Sequence, residues 1–141
     1  MKEQIVGNWK KVRTILAPQH IERIGLRYIN RIPLSDAHSR ISDWLKPNRY
    51  VPDGITQSRL GSKYRLEARI SERDIIIVTI VDQQAQDKSK QLFLDIDRGV
   101  TMQTLPTDDD VAKEIERLHS HVREVFDATK SNLYEAYLRK E

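Results

Sequence analysis

One stretch of this chain, Ile21–Ile32, alternates so regularly between two kinds of side chain that it predicts a two-sided β-strand. Its even-numbered side is mostly apolar and consists of Ile24, Leu26, Tyr28, Asn30 and Ile32. Its other side has an arginine at every fourth position, namely Arg23, Arg27 and Arg31. Because successive side chains of a strand point to opposite faces, one face can lie on a core while the other carries the guanidinium groups. The fold must therefore contain a sheet with one apolar face and one basic face.

Three further segments have the pattern of strands. Residues 55–71 repeat the alternation of apolar and charged side chains, and Ile75–Val81 is β-branched on both faces, as interior strands are. The third segment alternates Leu92, Leu94 and Ile96 with Gln91, Phe93, Asp95 and Asp97, and we expect it to end at Gly99. A connection with two prolines and an Asp-Gly turn, residues 46–54, is long enough to carry the chain across a sheet.

Three segments have helical spacing. Lys2–Leu16 places apolar residues three and four positions apart and ends before Pro18, and Asp36–Leu45 predicts a short helix with Ser35 as its N-cap. The last third begins with a capping-box sequence at Thr107–Asp110 and continues as an apolar stripe for roughly thirty residues, or ~45 Å of helix. We expect four residues of this helix to be buried against the even-numbered sheet face: Ile115, Leu118, Val122 and Phe126.

The predicted fold is a single α+β domain over residues 1–141. It has a four-stranded antiparallel sheet with a crossover after the first strand, packed on a long C-terminal helix, plus an N-terminal amphipathic helix. A helix of ~45 Å exceeds the length of a small sheet, and the basic face needs a cover. We therefore expect the protein to form at least a dimer.

Composition excludes several classes of function. The 141 residues include no cysteine, which rules out disulfide scaffolds, Cys-ligated zinc and thiol catalysis. The N-terminus lacks the apolar segment of a signal peptide, and the longest apolar run, Ile75–Val81, is too short to cross a bilayer. We expect a cytoplasmic protein with no membrane partner.

No sequence motif points to an enzyme or to a cofactor. There is no phosphate-binding glycine motif and no nucleophile-elbow motif. His119 and His121 are two positions apart and fall on different helix faces, so they do not form a metal pair. Asp95 and Asp97 share a strand face and, with Glu67, are possible Mg²⁺ ligands, but salt bridges to the neighbouring basic residues are the favoured role. Asp108–Asp110 is interpreted as a helix start.

The candidate partner-binding surface is the odd-numbered sheet face. It gathers eight residues: Arg23, Arg27, Arg31, Arg59, Lys63, Arg65, Arg69 and Phe93. Exposed faces that mix apolar and basic side chains are seldom left bare in water. Either the N-terminal helix or a second copy of the sheet covers this face, or it docks an acidic or amphipathic protein. Nucleic acid is a weaker candidate, because Phe93 is the one aromatic residue predicted on this face for base stacking.

The charge is unevenly distributed along the chain. Residues 1–71 contain 14 Lys and Arg against 6 Asp and Glu, whereas residues 107–141 contain 6 against 9. Such asymmetry is found in nucleic-acid-binding proteins, and it is equally typical of two halves that pair with each other.

The segment RIGLRYINRI at Arg23–Ile32, the LDID segment at Leu94–Asp97 and a helix pattern resemble an uncharacterised, sporadically distributed bacterial protein family with an LRYINRI strand motif. The helix pattern is formed by Leu118, His119, Arg123 and Phe126. The resemblance covers nearly all of this chain but only the C-terminal half of the longer family members. It supports the outline of the fold and implies no activity.

The predicted topology is also similar to that of the SecB export chaperone and its antitoxin-associated relatives, which bind unfolded segments. This similarity is topological only. Three functions follow as expectations. The first is a non-catalytic protein-interaction and assembly module; the alternatives are a SecB-like chaperone and a nucleic-acid-binding module that uses the basic face.

Overall fold

A computed structural model describes residues 2–35, 37–46, 61–84 and 90–140. The predicted fold class is confirmed: the protein is α+β, with an antiparallel sheet in the order β1-β4-β3-β2 and helices packed on it. The elements are α1 (Lys2–Leu16), β1 (Arg23–Pro33), α2 (Ile41–Trp44), β2 (Gly61–Arg69), β3 (Asp74–Gln84), β4 (Lys90–Thr101), α3 (Asp108–Thr129) and α4 (Asn132–Leu138). Since β1 and β2 form opposite edges, the connection between them crosses the sheet, as predicted.

The even-numbered side chains of the sheet form the core together with α3. We call this side the covered face. On β1 and β4 its buried side chains include Leu26, Ile32, Leu94 and Ile96, and α3 packs against these two strands. The strict alternation of β4 explains this arrangement, because every second residue is buried over most of its length.

Helix α3 begins at the predicted capping box. The Thr107 hydroxyl accepts a hydrogen bond from the Asp110 amide at 3.2 Å, and the Asp110 carboxylate accepts one from the Thr107 amide at 2.9 Å. The Thr107 hydroxyl also donates to the Asp110 carboxylate at 2.7 Å. This bond and the one from the Thr107 amide lower the pKa of Asp110, because they stabilise its ionised form. Further along, Ile115, Leu118 and Val122 are buried as predicted, whereas Phe126 is only half-buried and packs at the margin of the core.

The expectation of one continuous C-terminal helix is wrong. Helix α3 ends at Thr129, Lys130 has an extended backbone, and Ser131 caps the separate helix α4. The break forms because the chain after α2 pairs there: the Lys46 amide donates to the Thr129 carbonyl at 2.8 Å, and the Ser131 amide donates to the Trp44 carbonyl at 2.8 Å. The apolar periodicity continues through the break because α3 and α4 both face the same core.

The break directs α4 onto α2. Tyr134 is buried, and the rings of Tyr134 and Tyr137 meet Trp44 edge to face at centroid distances of 6.0 and 5.6 Å. This packing buries large aromatic surfaces that a straight helix would leave beyond the sheet. The length of the C-terminal helix therefore no longer supports a dimer.

Several predicted boundaries also change. The short helix starts at Ile41 rather than Asp36, which lies outside the described residues, and Ser35 forms an isolated bridge with His38 instead of an N-cap. Strand β2 covers Gly61–Arg69 of the predicted 55–71, whose residues 55–60 lie outside the described residues, as do residues 47–54.

Strand β4 continues through Gly99 instead of ending there. Gly99 lies opposite Gly25 of β1 and Ile75 of β3, on a central strand and near one end of the sheet. The guanidinium group of Arg23 occupies the space that a Cβ on either glycine would need. Gly99 therefore permits a close side-chain approach within the strand and does not act as a strand breaker.

Candidate functional site

The odd-numbered side of the sheet, which we call the open face, lies opposite the helices. The strand register arranges its side chains in rows across β1, β4, β3 and β2. Four consecutive rows along the sheet are Arg31–Phe93–Val81–Lys63, Ile29–Asp95–Thr79–Arg65, Arg27–Asp97–Ile77–Glu67 and Gly25–Gly99–Ile75–Arg69. The basic residues therefore lie on the two outer strands, and the apolar and acidic residues lie mainly between them.

The structure places seven of the eight predicted partner-binding residues on this face. Three are on β1 (Arg23, Arg27 and Arg31), three are on β2 (Lys63, Arg65 and Arg69), and Phe93 is on β4. The eighth, Arg59, lies outside the described residues. The two basic groups are separated by three strand spacings, or ~14 Å, so they form two borders rather than one continuous patch.

The acidic residues of the central strand β4 neutralise two of the three arginines of the basic border on β1. Arg27 and Asp95 form two parallel hydrogen bonds, Nε to Oδ1 at 2.9 Å and Nη2 to Oδ2 at 2.6 Å, and Arg23 meets Asp97 at 2.6 Å. The hydrogen bonds and charge of Asp95 raise the pKa of Arg27. The favoured interpretation of Asp95 and Asp97 as salt-bridge partners is therefore confirmed.

Glu67 does not reach those aspartates. It pairs with Arg65, two residues away on the same strand. Arg31, Lys63 and Arg69 are exposed and have no carboxylate partner among the described residues. With six cations and three carboxylates, the described part of the open face carries three net positive charges, equal in number to these three unpaired residues.

Apolar side chains on the open face remain accessible. Ile29 is 60% exposed and Ile75 is 37% exposed, and Ile77, Val81 and Phe93 are half-buried. Each of these groups would gain from leaving water. Exposed apolar side chains that are grouped together and rimmed by polar residues are typical of interaction sites.

The N-terminal helix does not cover the open face, contrary to one of the two covers expected from the sequence. Helix α1 packs against α3, where Arg13 meets Asp108 at 3.1 Å. Lys10 of α1 also pairs with Asp108, at 3.9 Å. Asp108 is one of three aspartates at the start of α3, where negative charge suits the positive end of the helix dipole. Its C-terminal turn exposes apolar side chains of its own at Val12, Ile15 and Leu16.

Sequence reasoning missed one charged residue, Arg98, whose side chain is fully buried on the covered face. Its Nη1 donates to the Ile75 carbonyl at 3.1 Å, and its Nη2 lies 3.3 Å from both Asp74 Oδ1 and His121 Nδ1. Arg117 also meets Asp74, at 2.8 Å. The available signal was the alternation itself, because Arg98 follows Leu94 and Ile96 on the same side of β4.

This cluster is electrostatically balanced. Burial lowers the pKa of Arg98, although the negative charge of Asp74 acts to raise it. Burial on its own would raise the pKa of Asp74. Hydrogen bonds from Arg117 and Ser71, together with the positive charges of Arg117 and Arg98, outweigh this effect and bring the pKa below its ordinary value. Arg117 also pairs with Glu114, so two cations face two carboxylates. The cluster therefore holds α3 on the sheet and offers no excess charge to a ligand.

The histidines have separate surroundings. His119 stacks on Tyr28 with ring centroids 5.9 Å apart, and His121 contacts Arg98. Over residues 2–35, 37–46, 61–84 and 90–140, no three His, Asp or Glu side chains are grouped as metal ligands. No helix within those same ranges has both the length and the apolar character needed to cross a membrane.

Neither protein-family models, nor curated proteins, nor solved structures gave a match to this chain.

Proposed function

We propose that this chain is a non-catalytic protein-interaction module and that a protein partner docks on the open face. The observation that carries the proposal is the accessible apolar group Ile29, Ile75, Ile77, Val81 and Phe93 between two basic borders. Fully burying one such large side chain stabilises a complex by ~1.5–3 kcal/mol. A partner that covers several of them gains enough to offset part of the cost of association.

The pairing of charges favours protein over nucleic acid. Arg23, Arg27 and Arg65 already have carboxylate partners, so a phosphate group would have to displace those carboxylates. Asp95 and Asp97 lie on a central strand and would repel a phosphate backbone that crosses the sheet. A protein can avoid this repulsion by placing apolar side chains over the centre and polar groups over the borders.

A SecB-like chaperone is the second function that we carry forward from the sequence. The crossover from one edge of the sheet to the other supports it at the level of topology alone. A chaperone for unfolded segments would bind many unrelated apolar chains, whereas a docking module would retain a small set of folded partners.

The experiment is affinity capture from the native host followed by mass spectrometry. The wild-type chain is compared with Phe93→Ser on the open face and with Leu138→Ser, a control that removes an exposed apolar residue of α4. We expect a small set of proteins that is retained by the wild type and by the control and is lost with Phe93→Ser. Identical sets from all three would contradict docking on the open face, and a broad set of unfolded proteins would favour the chaperone.

The homo-oligomer expected from the sequence remains a prediction, but the open face is a poor place for it. Two copies packed face to face would bring together two surfaces that each carry three net positive charges. The exposed apolar turn of α1 is a better contact for a second copy. Light scattering at micromolar concentration checks the prediction, because a mass of 16.5 kDa would show a monomer.

A further inference from the structure

We propose that the partner presents an acidic amphipathic segment to the open face and that this segment lies along β3. The inference rests on the proposed function and adds the chemistry of the partner. Along β3 the open face is lined by β-branched residues: Ile75, Ile77, Thr79 and Val81. We call this line the β3 strip; it spans ~20 Å at ~3.4 Å per residue.

The unpaired cations are distributed around the β3 strip. Lys63 is directly opposite Val81 at one end of the strip, and Arg69 is opposite Ile75 at the other end. Arg31 lies in the same row as Lys63 but on the far side of Phe93. The strip therefore has a cation at each end of its β2 flank, and the third cation, Arg31, lies ~14 Å from Lys63 across the sheet.

The Phe93 end of the strip is the strongest part of this arrangement. Its row, Arg31–Phe93–Val81–Lys63, has two apolar side chains in the centre and two unpaired cations at the edges. Of the other three rows named above, two place a carboxylate at the centre and the third has glycines on β1 and β4. An anionic ligand with an apolar stripe meets attraction at this row without facing Asp95 or Asp97 directly.

These features define what the segment needs. Apolar side chains would cover Val81, Ile77 and Phe93, and Asp or Glu side chains on the flanks would pair with Lys63, Arg69 and Arg31. A helix is 10–12 Å across, so it fits between borders that are ~14 Å apart. Pairing with unpaired cations requires no existing salt bridge to break, which makes each contact more favourable than one to Arg27.

Selection from a displayed library of random peptides, each about 15 residues long and so able to form ~20 Å of helix, tests the proposal. The target is the full chain as wild type and as the double variant Arg31→Glu/Lys63→Glu. The matched control is Lys113→Glu/Arg123→Glu, which changes the charge equally at two exposed positions of α3. Circular dichroism verifies that all three proteins are folded.

We expect the wild type and the control to enrich peptides rich in both apolar and acidic residues, and the open-face variant to enrich basic ones. The acidic peptides should bind the open-face variant roughly tenfold more weakly or worse, as expected when charge-assisted contacts become repulsive. Selected peptides without an acidic excess, or equal binding to all three proteins, would overturn the proposal. An absence of any enriched peptide would also overturn it.

The same proteins separate this inference from the proposed function. If the selected peptides lose binding with Phe93→Ser but not with Arg31→Glu/Lys63→Glu, docking on the open face stands and the acidic chemistry is wrong. If a random single-stranded oligonucleotide binds the wild type more tightly than any selected peptide and loses binding with the double charge reversal, both are wrong. Under that outcome, the face binds nucleic acid.

Discussion

The two faces of the sheet use arginine in opposite ways. Arg98 on the covered face is fully buried and is held by Asp74, a carbonyl group and His121 under α3. Arg27 on the open face forms a geometrically better pair with Asp95, yet it remains exposed. Burial, and not the quality of the hydrogen bonds, therefore decides whether an arginine serves the fold or is available at a surface.

Arg98→Ala should have the largest effect on stability. Truncation removes one of the two cations that pair with the half-buried Asp74 and opens a cavity beneath α3. We therefore expect the free energy of unfolding to fall by ~3–5 kcal/mol. Denaturant unfolding measures this loss. Arg123→Ala is the matched control on the solvent side of α3, since its side chain is 78% exposed. A loss comparable with that of the control would show that the buried cluster does not hold α3.

The low pKa of Asp74 predicts a pH dependence. Because the folded state lowers this pKa below the ordinary value of 3.8, ionised Asp74 stabilises the fold above that value, and the contribution is lost as pH falls through the folded pKa. The wild type should therefore be more stable than Asp74→Asn at neutral pH. Their unfolding midpoints should converge as the pH falls below this ordinary value. A difference that stays constant over this range would contradict a depressed pKa.

Ion pairs of the open face should contribute little to the fold. Arg27→Ala is expected to leave the denaturation midpoint nearly unchanged, since solvent screens an exposed pair and the ordering of two side chains offsets the attraction. The comparison with Arg98→Ala in the same buffer gives the ratio of the two effects. Equal losses for the two variants would mean that the open face is buried under conditions in which the protein is folded.

Nucleic-acid binding should be negligible. If phosphate groups did bind the basic borders, affinity would fall steeply with salt, and Arg27→Ala with Arg65→Ala would weaken binding and flatten that slope. We expect no salt-sensitive binding of generic DNA or RNA at submicromolar concentration. Such binding, abolished by the double substitution, would reverse the assignment of the partner class.

The sequence was sufficient to predict which side chains share a face of the sheet, but not which strands and segments lie next to each other. Strict alternation in β1 and β4 assigned each side chain to a face, and the Thr107 capping box located the start of α3. The strand order depends on long-range pairing, so nothing in the local pattern indicated that Arg31 and Lys63 share a row. The pairing of Ser131 with Trp44, which ends the helix, is long-range in the same way.

Cysteine labelling measures whether the open face is uncovered in the isolated protein. The chain has no native cysteine, so Ile29→Cys gives a single thiol on the open face, and Leu94→Cys gives one on the covered face. In the folded protein, Ile29→Cys should react with a maleimide at nearly the rate of Leu138→Cys, an exposed position on α4, and Leu94→Cys should be strongly protected. If Ile29→Cys were as protected as Leu94→Cys, the open face would be covered in the isolated protein and would not be available to a partner.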